Sequence, residues 1–302
     1  MTTSVSEPEI VPVPPARLGE GPRWDDRTGT LLWVDIPAGR VHRLDPADGS
    51  HGVIDVGQPV GVAVPRAAGG LALAVRDGFA VLPETRWAAP VGGSGSAVRP
   101  DGLGLELIVP VTAGERPGNR MNDGACDRAG RFFAGTKAED DTPGAGALYR
   151  LGPDHRCERV LDGVTVSNGI AWSPDGRLLY YVDTPTGRVD VFDYDPADGR
   201  LGGRRVFAEI SRGMPDGITV DALGHVWVAL WGGGAILRLR PDGRLDLAVE
   251  IPAPNVTSCA FGGPDLDVLY VTTAWDGTAG GELLRCRTSV EGLPANPYRE
   301  HA

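Results

Sequence analysis

A repeated unit constrains this chain more than any other feature. A polar residue and a glycine, an apolar run, a turn with an acidic residue and a second apolar run recur along its length. Self-similarity of this kind marks an array of like supersecondary units. Glu20-Gly21 leads through Trp24-Asp25-Asp26 to Leu31-Leu32-Trp33-Val34, and Asp123-Gly124 leads through Asp127 to Arg131-Phe132-Phe133-Ala134. Asn168-Gly169 leads through Pro174-Asp175-Gly176 to Leu178-Leu179-Tyr180-Tyr181, and Asp216-Gly217 through Asp221 to His225-Val226-Trp227-Val228. Val60-Gly61 before Leu71-Ala72-Leu73 and Ser258-Cys259 before Leu269-Tyr270-Val271 are weaker copies, which brings the units to six.

The apolar runs are short and bounded by Gly, Pro and Asp, as strands are, and helix signals are almost absent. Their spacing of roughly 40 to 60 residues suits four-stranded propeller blades. The expected fold is therefore all-β, a six-bladed β-propeller, with residues 1–8 disordered and residues 9–302 forming a single domain. Ile10-Val11-Pro12-Val13 has no partner of its own, and as a strand of the last blade it would close the ring and remove an edge. The longest interval between units contains Val91-Gly92-Gly93-Ser94-Gly95-Ser96 and reads as a loop insertion.

Composition excludes several classes. The 44 glycines and 26 prolines are spread evenly, so they punctuate strands and do not signal disorder. The net charge is 29 − 40 = −11 with no basic stripe, which argues against nucleic acid or an anionic membrane surface as partner. No apolar run reaches the length of a membrane span. Cys126, Cys157, Cys259 and Cys286 lack metal-ligand spacing, and the first fifteen residues hold no apolar stretch. A reduced, cytoplasmic protein, monomeric or a small homo-oligomer, is expected.

The innermost strand of every propeller blade starts at the same end of the central channel, so the residues heading the units converge. That set is Glu20, Asp123 with its neighbour Asn122, Asn168, Asp216 and Ser258. Pro-Asp-Gly is ordinarily a turn, and Ser173-Pro174-Asp175-Gly176-Arg177 and Arg240-Pro241-Asp242-Gly243-Arg244 read as such. Asp216 differs because Ile218-Thr219-Val220 follows its glycine and places it at the mouth of a strand. Carboxylates and an amide oxygen gathered there without an evident cation would repel one another and be costly to desolvate. One divalent cation removes the difficulty; the all-oxygen set suits Ca2+ first, with Mg2+, Mn2+ and Zn2+ also compatible. His42, His51, His155, His225 and His301 show no ligand spacing and read as strand or turn residues. No Gly-x-Ser-x-Gly elbow is present, and Gly92-Gly93-Ser94-Gly95 follows no buried strand into a helix.

The sequence resembles the gluconolactonase and senescence-marker-protein (regucalcin-like) family of six-bladed propellers. The resemblance is carried by Leu18-Gly19-Glu20-Gly21-Pro22, Asn119-Arg120-Met121-Asn122-Asp123-Gly124, Arg131-Phe132-Phe133-Ala134-Gly135-Thr136, Val166-Ser167-Asn168-Gly169, Pro215-Asp216-Gly217 and Thr257-Ser258-Cys259-Ala260-Phe261-Gly262-Gly263, in the family's order. It implies metal ligands at Glu20, Asn168 and Asp216 and substrate contacts at Arg120 and Asn122. A third contact, usually glutamate in the family, falls on Asp140, one methylene shorter. The segment from Trp275 to Glu282 is shorter than in many relatives.

The implied reaction is metal-dependent hydrolysis of a sugar lactone or similar small cyclic ester, with Asp216 as ligand and candidate general base. Two alternatives use the same residues: a non-catalytic Ca2+- or ligand-binding propeller, and a hydrolase or biosynthetic tailoring enzyme acting on another electrophile. Lys137 is the only lysine. Three residues before Asp140, it is expected to pair with that carboxylate while free to swing onto an anionic substituent of the substrate.

Overall fold

The computed structural model describes residues 3–88 and 104–300. The segment Val91–Ser96, read as an insertion, and His301 lie outside the described residues. The strands form six four-stranded antiparallel sheets. Blade one holds β2 (Gly19–Asp25), β3 (Thr30–Asp35), β4 (Arg40–Leu44) and β5 (His51–Asp55); blade two holds β6 (Val60–Pro65), β7 (Leu71–Val75), β8 (Gly78–Leu82) and β9 (Glu106–Val109). Blade three holds β10 (Asn119–Cys126), β11 (Phe132–Ala138), β12 (Gly146–Leu151) and β13 (Cys157–Val164), and blade four β14 (Ser167–Trp172), β15 (Leu178–Asp183), β16 (Arg188–Tyr194) and β17 (Leu201–Glu209). Blade five holds β18 (Met214–Val220), β19 (Val226–Trp231), β20 (Ala235–Leu239) and β21 (Leu245–Glu250). Blade six is β22 (Asn255–Gly262), β23 (Val268–Ala274) and β24 (Leu284–Arg287), completed by β1 (Glu9–Ile10) from the N-terminal end. The six-bladed propeller expected from the repeat is the fold.

Closure differs in detail from the expectation. The closing strand pairs Glu9 with Arg285 and Ile10 with Leu284, then stops after Val11 donates its N–H to Leu283 O. Pro12 has no N–H with which to continue the ladder. Residues 3–8, expected to be disordered, run on alongside blade six: Val5 bridges Thr288 and Ser6 N–H donates to Arg287 O at 2.8 Å.

Burial follows position in the blade. Every residue of β3, β6 and β7 is buried, whereas the outer strands β13, β17 and β21 are largely exposed or half-buried. The inner strands are apolar on both faces because each blade packs against two neighbours. The core is accordingly divided among the blade interfaces. Trp24, Leu31 and Tyr270 join blades six and one; Leu32 and Leu73 join one and two; Phe79 and Phe132 join two and three. Phe133 and Tyr181 join three and four, Val182 and Val228 four and five, and Trp227 and Leu269 five and six.

All six innermost strands break register near their heads: between Glu20 and Arg23, Val60 and Val62, Met121 and Gly124, Asn168 and Ile170, Pro215 and Ile218, and Val256 and Ser258. A β-bulge turns a side chain out of the ladder, and repetition around the ring aims the head residues at the axis. The glycines there are required by close approach. A Cβ on Gly61 would lie 1.8 Å from Asn122 O, and one on Gly217 would lie 2.1 Å from Ser258 Oγ. Gly61→Ala should therefore cost about 3 kcal/mol or more. Gly29→Ala, at a φ of +66° with nothing within 4 Å, should cost only about 1 kcal/mol. Urea unfolding midpoints of the two variants, compared at equal m, check the difference.

Candidate active site at the mouth of the channel

The bulges deliver Glu20, Asn168 and Asp216, which are 5%, 5% and 4% exposed, to the channel along with Asn122, Asp123 and Ser258, all buried. Glu20 Oε2 accepts the N–H of Gly21 at 2.8 Å, and Asp123 Oδ1 accepts that of Gly124 at 2.7 Å. Each carboxylate is thus held by an amide of its own bulge. Among the described residues Asp216 Oδ1 is buried with no hydrogen-bond partner.

A directed chain of hydrogen bonds crosses from blade three to blade four. Arg120 Nη1 donates to Met121 O at 3.0 Å and to Asn122 Oδ1 at 2.6 Å. Asn122 Nδ2 donates to Ser167 O at 2.9 Å and to Asn168 Oδ1 at 2.7 Å, and Asn168 Nδ2 donates to Thr184 Oγ1 at 2.8 Å. Thr184 thereby fixes which end of the Asn168 amide faces the channel. It heads a turn after β15, outside the repeated pattern, and sequence reasoning missed it. Asn122, expected to touch substrate, has both ends of its amide engaged inside the protein and ties Arg120 to Asn168.

The electrostatics are those of crowded buried acids. Burial pushes the Glu20 carboxyl up to about 8, the Asp123 charge adds to the rise, and the Gly21 amide and Arg120 oppose it. Burial raises Asp216 well above the usual carboxylate range, reinforced by Glu20 and Asp123 and opposed by Lys137 and the Gly217 amide. Asp123 is raised by burial, against the pull of Arg23 and the Gly124 amide. An unpartnered buried oxygen among mutually repelling carboxylates fits a hard divalent cation. Among the described residues no three His, Cys, Asp or Glu side chains are arranged to hold a metal by themselves. The set that fits is mixed: the carboxylates of Glu20 and Asp216 and the amide oxygen of Asn168.

The remaining expected residues fall differently. Asp140 is exposed and pairs with both Nη atoms of Arg116, at 2.8 and 2.9 Å, while its Oδ1 also accepts from Thr142 Oγ1 at 2.8 Å. Arg116 and Thr142 hold its carboxyl well below the usual range. The acid near Arg120 is Glu139, whose Oε2 lies 3.7 Å from Arg120 Nε. Strand β11 ends at Ala138, and the turn that follows, with Asp141 at a φ of +53°, carries Asp140 out to Arg116. Lys137 pairs with Asp141, not with Asp140. It stands directly opposite Arg120 in the ladder and bridges Val166 of the next blade.

Above the ring of head residues opens a cavity of about 370 Å3 lined by Arg17, Arg76, Arg120, Glu139, Trp231 and Trp275, among others. Trp275, the first residue of the segment read as short, is therefore part of this mouth. A second cavity of about 240 Å3 at the other end of the channel is lined by Arg23, Cys126, Trp172 and Leu293–Asn296; among the described residues, Glu20, Asp123 and Asp216 line neither cavity. His42 and His51 lie far from this chemistry. They stack on Trp33, share one hydrogen bond at 3.0 Å, and are pushed down to about 3 and about 4, in both cases chiefly by burial.

Fold and site together define a six-bladed propeller with buried acids and amides gathered at the channel mouth. The chain belongs to the family described as the SMP-30/Gluconolactonase/LRE-like region, whose sequence model matches residues 18–275. It is similar to regucalcin of Bos taurus, 37% identical over 93% of this chain and 94% of that protein. Among solved structures it resembles a luciferin-regenerating enzyme, with 30% identity, a TM-score of 0.85 and 98% and 99% of the two chains covered. A calcium-binding protein, regucalcin, from Agrobacterium tumefaciens is 27% identical with a TM-score of 0.86, covering 97% and 98%.

The raised carboxyls set a sign for stability. Glu20 is about 8 in the folded chain against 4.5 ordinarily, so between those values the folded state holds more protons than the unfolded one. Stability then falls as pH rises through that window. Thermal melts in chelator should show a lower midpoint at pH 8 than at pH 5, and added Ca2+ should restore the loss at pH 8. A midpoint at pH 8 that is insensitive to every divalent ion would remove the metal from this site.

Proposed function

We propose that this protein is a metal-dependent hydrolase that opens a sugar lactone or a similar small cyclic ester. The observation that carries the reading is Asp216 Oδ1, buried and without a hydrogen-bond partner among the described residues, in a channel whose mouth Arg120 lines. Glu20, Asn168 and Asp216 would hold one divalent ion, Ca2+ first among Mg2+, Mn2+ and Zn2+. Polarisation of the ester carbonyl is the chemistry such an ion supplies.

The chain's own groups do the rest. Asp216, through the carboxylate oxygen that the ion leaves free, would accept the proton of the attacking water. Arg120 cannot swing freely, since Met121 O and Asn122 Oδ1 hold one Nη, and its fixed charge faces the oxyanion that develops on the ring carbonyl. Asn122 positions both Arg120 and Asn168. Trp231 and Trp275 offer apolar surface to the face of the ring. A lactone is an activated ester, so a base and a polarised carbonyl suffice without a covalent nucleophile.

Calcium binding without turnover is the second reading, suggested by the Agrobacterium relative described as a calcium-binding protein. It uses the same three ligands but gives no work to Arg120 or the cavity. A panel of lactones read with a pH indicator, on metal-stripped protein with each divalent ion restored in turn, separates the two. Asp216→Asn should retain part of the metal and lose about 10²-fold or more in kcat. Wild-type rates in that variant would remove Asp216 as base. Arg120→Ala and Asn122→Ala should keep the ion and lose about 1 to 3 kcal/mol each in kcat/KM; loss of metal from either would place that residue among the ligands.

A further inference from the structure

The chain as a whole is strongly acidic, with 29 basic against 40 acidic residues, yet the cavity over the site is lined by three arginines, Arg17, Arg76 and Arg120, and one carboxylate, Glu139. That carboxylate is shared, with Oε1 3.3 Å from Arg76 Nη2 and Oε2 3.7 Å from Arg120 Nε. Lys137 adds a further cation directly across the ladder from Arg120. Like charges directly opposite each other destabilise a sheet; Asp141 pairs with the lysine and also acts on Arg120. The cationic side chains thus gather at the rim of the cavity, over the buried acids of the channel.

Arg17 is the rim cation left open. Its backbone is fixed: its N–H donates to Asp35 Oδ2 at 2.9 Å, and its carbonyl accepts the N–H of Trp275 at 3.0 Å. Among the described residues its guanidinium makes no ion pair and no hydrogen bond, although it lines the cavity. An anchored arginine with free donors beside a tryptophan that is 50% exposed is suited to a planar or tetrahedral oxyanion on a body with an apolar face.

Resting on the lactonase reading, we infer that the substrate is an anionic lactone, whose carboxylate or phosphate is received by Arg17 at the rim of the cavity while its ring carbonyl lies toward Arg120. The positive lining steers such a substrate inward and disfavours neutral analogues that leave the cations unpaired.

The test uses the full-length, metal-loaded protein and two measurements. Hydrolysis is compared for gluconolactone, glucarolactone and phosphogluconolactone, which are neutral, carboxylated and phosphorylated. Calorimetric binding is compared for the unreactive rings anhydroglucitol, glucuronate and glucose phosphate in the same order. One anionic compound in each set should exceed the neutral one by at least about tenfold, an advantage that shrinks as salt screens the rim. Whether the carboxylate or the phosphate arm responds identifies the anion. Arg17→Gln should reduce the anionic values at least about tenfold more than the neutral ones. Turnover of gluconolactone with no anionic preference in either measurement overturns the inference and leaves the lactonase reading standing. Tighter binding of the anionic rings with no hydrolysis of any lactone overturns the lactonase reading and leaves only an anion-binding role for Arg17. An anionic preference that survives Arg17→Gln undiminished overturns the assignment to Arg17.

Discussion

Everything at the mouth of this molecule depends on how closely the six innermost strands approach one another there. Bulged backbones meet with so little space that Gly61 and Gly217 have no room for a β-carbon beside the residues of the next blade. The same bulges rotate Glu20, Asn168 and Asp216 off their sheets and into the axis. Fold and site therefore arise together: the local disruption that lets the ring tighten also gathers these buried polar side chains.

This arrangement concentrates unfavourable electrostatics in one place. Three buried carboxyls are each pushed up by burial, and two of them also by their neighbours; they persist because the surrounding structure leaves them nowhere else to go. Stability comes from elsewhere, from apolar cores distributed over six blade interfaces. A net stability of ordinary size is the small difference between such opposing contributions. Strain stored at a functional centre and offset by packing at a distance is the expected pattern.

What the sequence made legible followed the period. Glu20, Asn168 and Asp216 head their units, so comparing the repeats with one another is enough to bring them together, and the residues after Gly217 distinguish Asp216 from a solvated turn. What lay outside the period was not legible. Asp140 and Glu139 are adjacent acids in a turn, and only the left-handed Asp141 and the Arg116 partner decide that the first faces solvent and the second the cavity. Thr184 and Arg17 belong to connections between strands, where spacing carries no information about direction. The closing strand was recognisable by its isolation, but its length was set by Pro12.

The closure of the ring has a kinetic meaning. Glu9 and Arg285 meet across 276 residues of sequence, and contacts of that separation carry the largest loop-closure entropy and form late. On the same side, Thr257 Oγ1 of blade six donates to Gly19 O, the residue before Glu20, at 2.6 Å. The proposed ligands thus come together only when the first and last blades have met. A chain still being synthesised, or one whose latch has frayed, lacks the geometry of the proposed centre, so binding of an ion or a substrate there would report that the circle has closed.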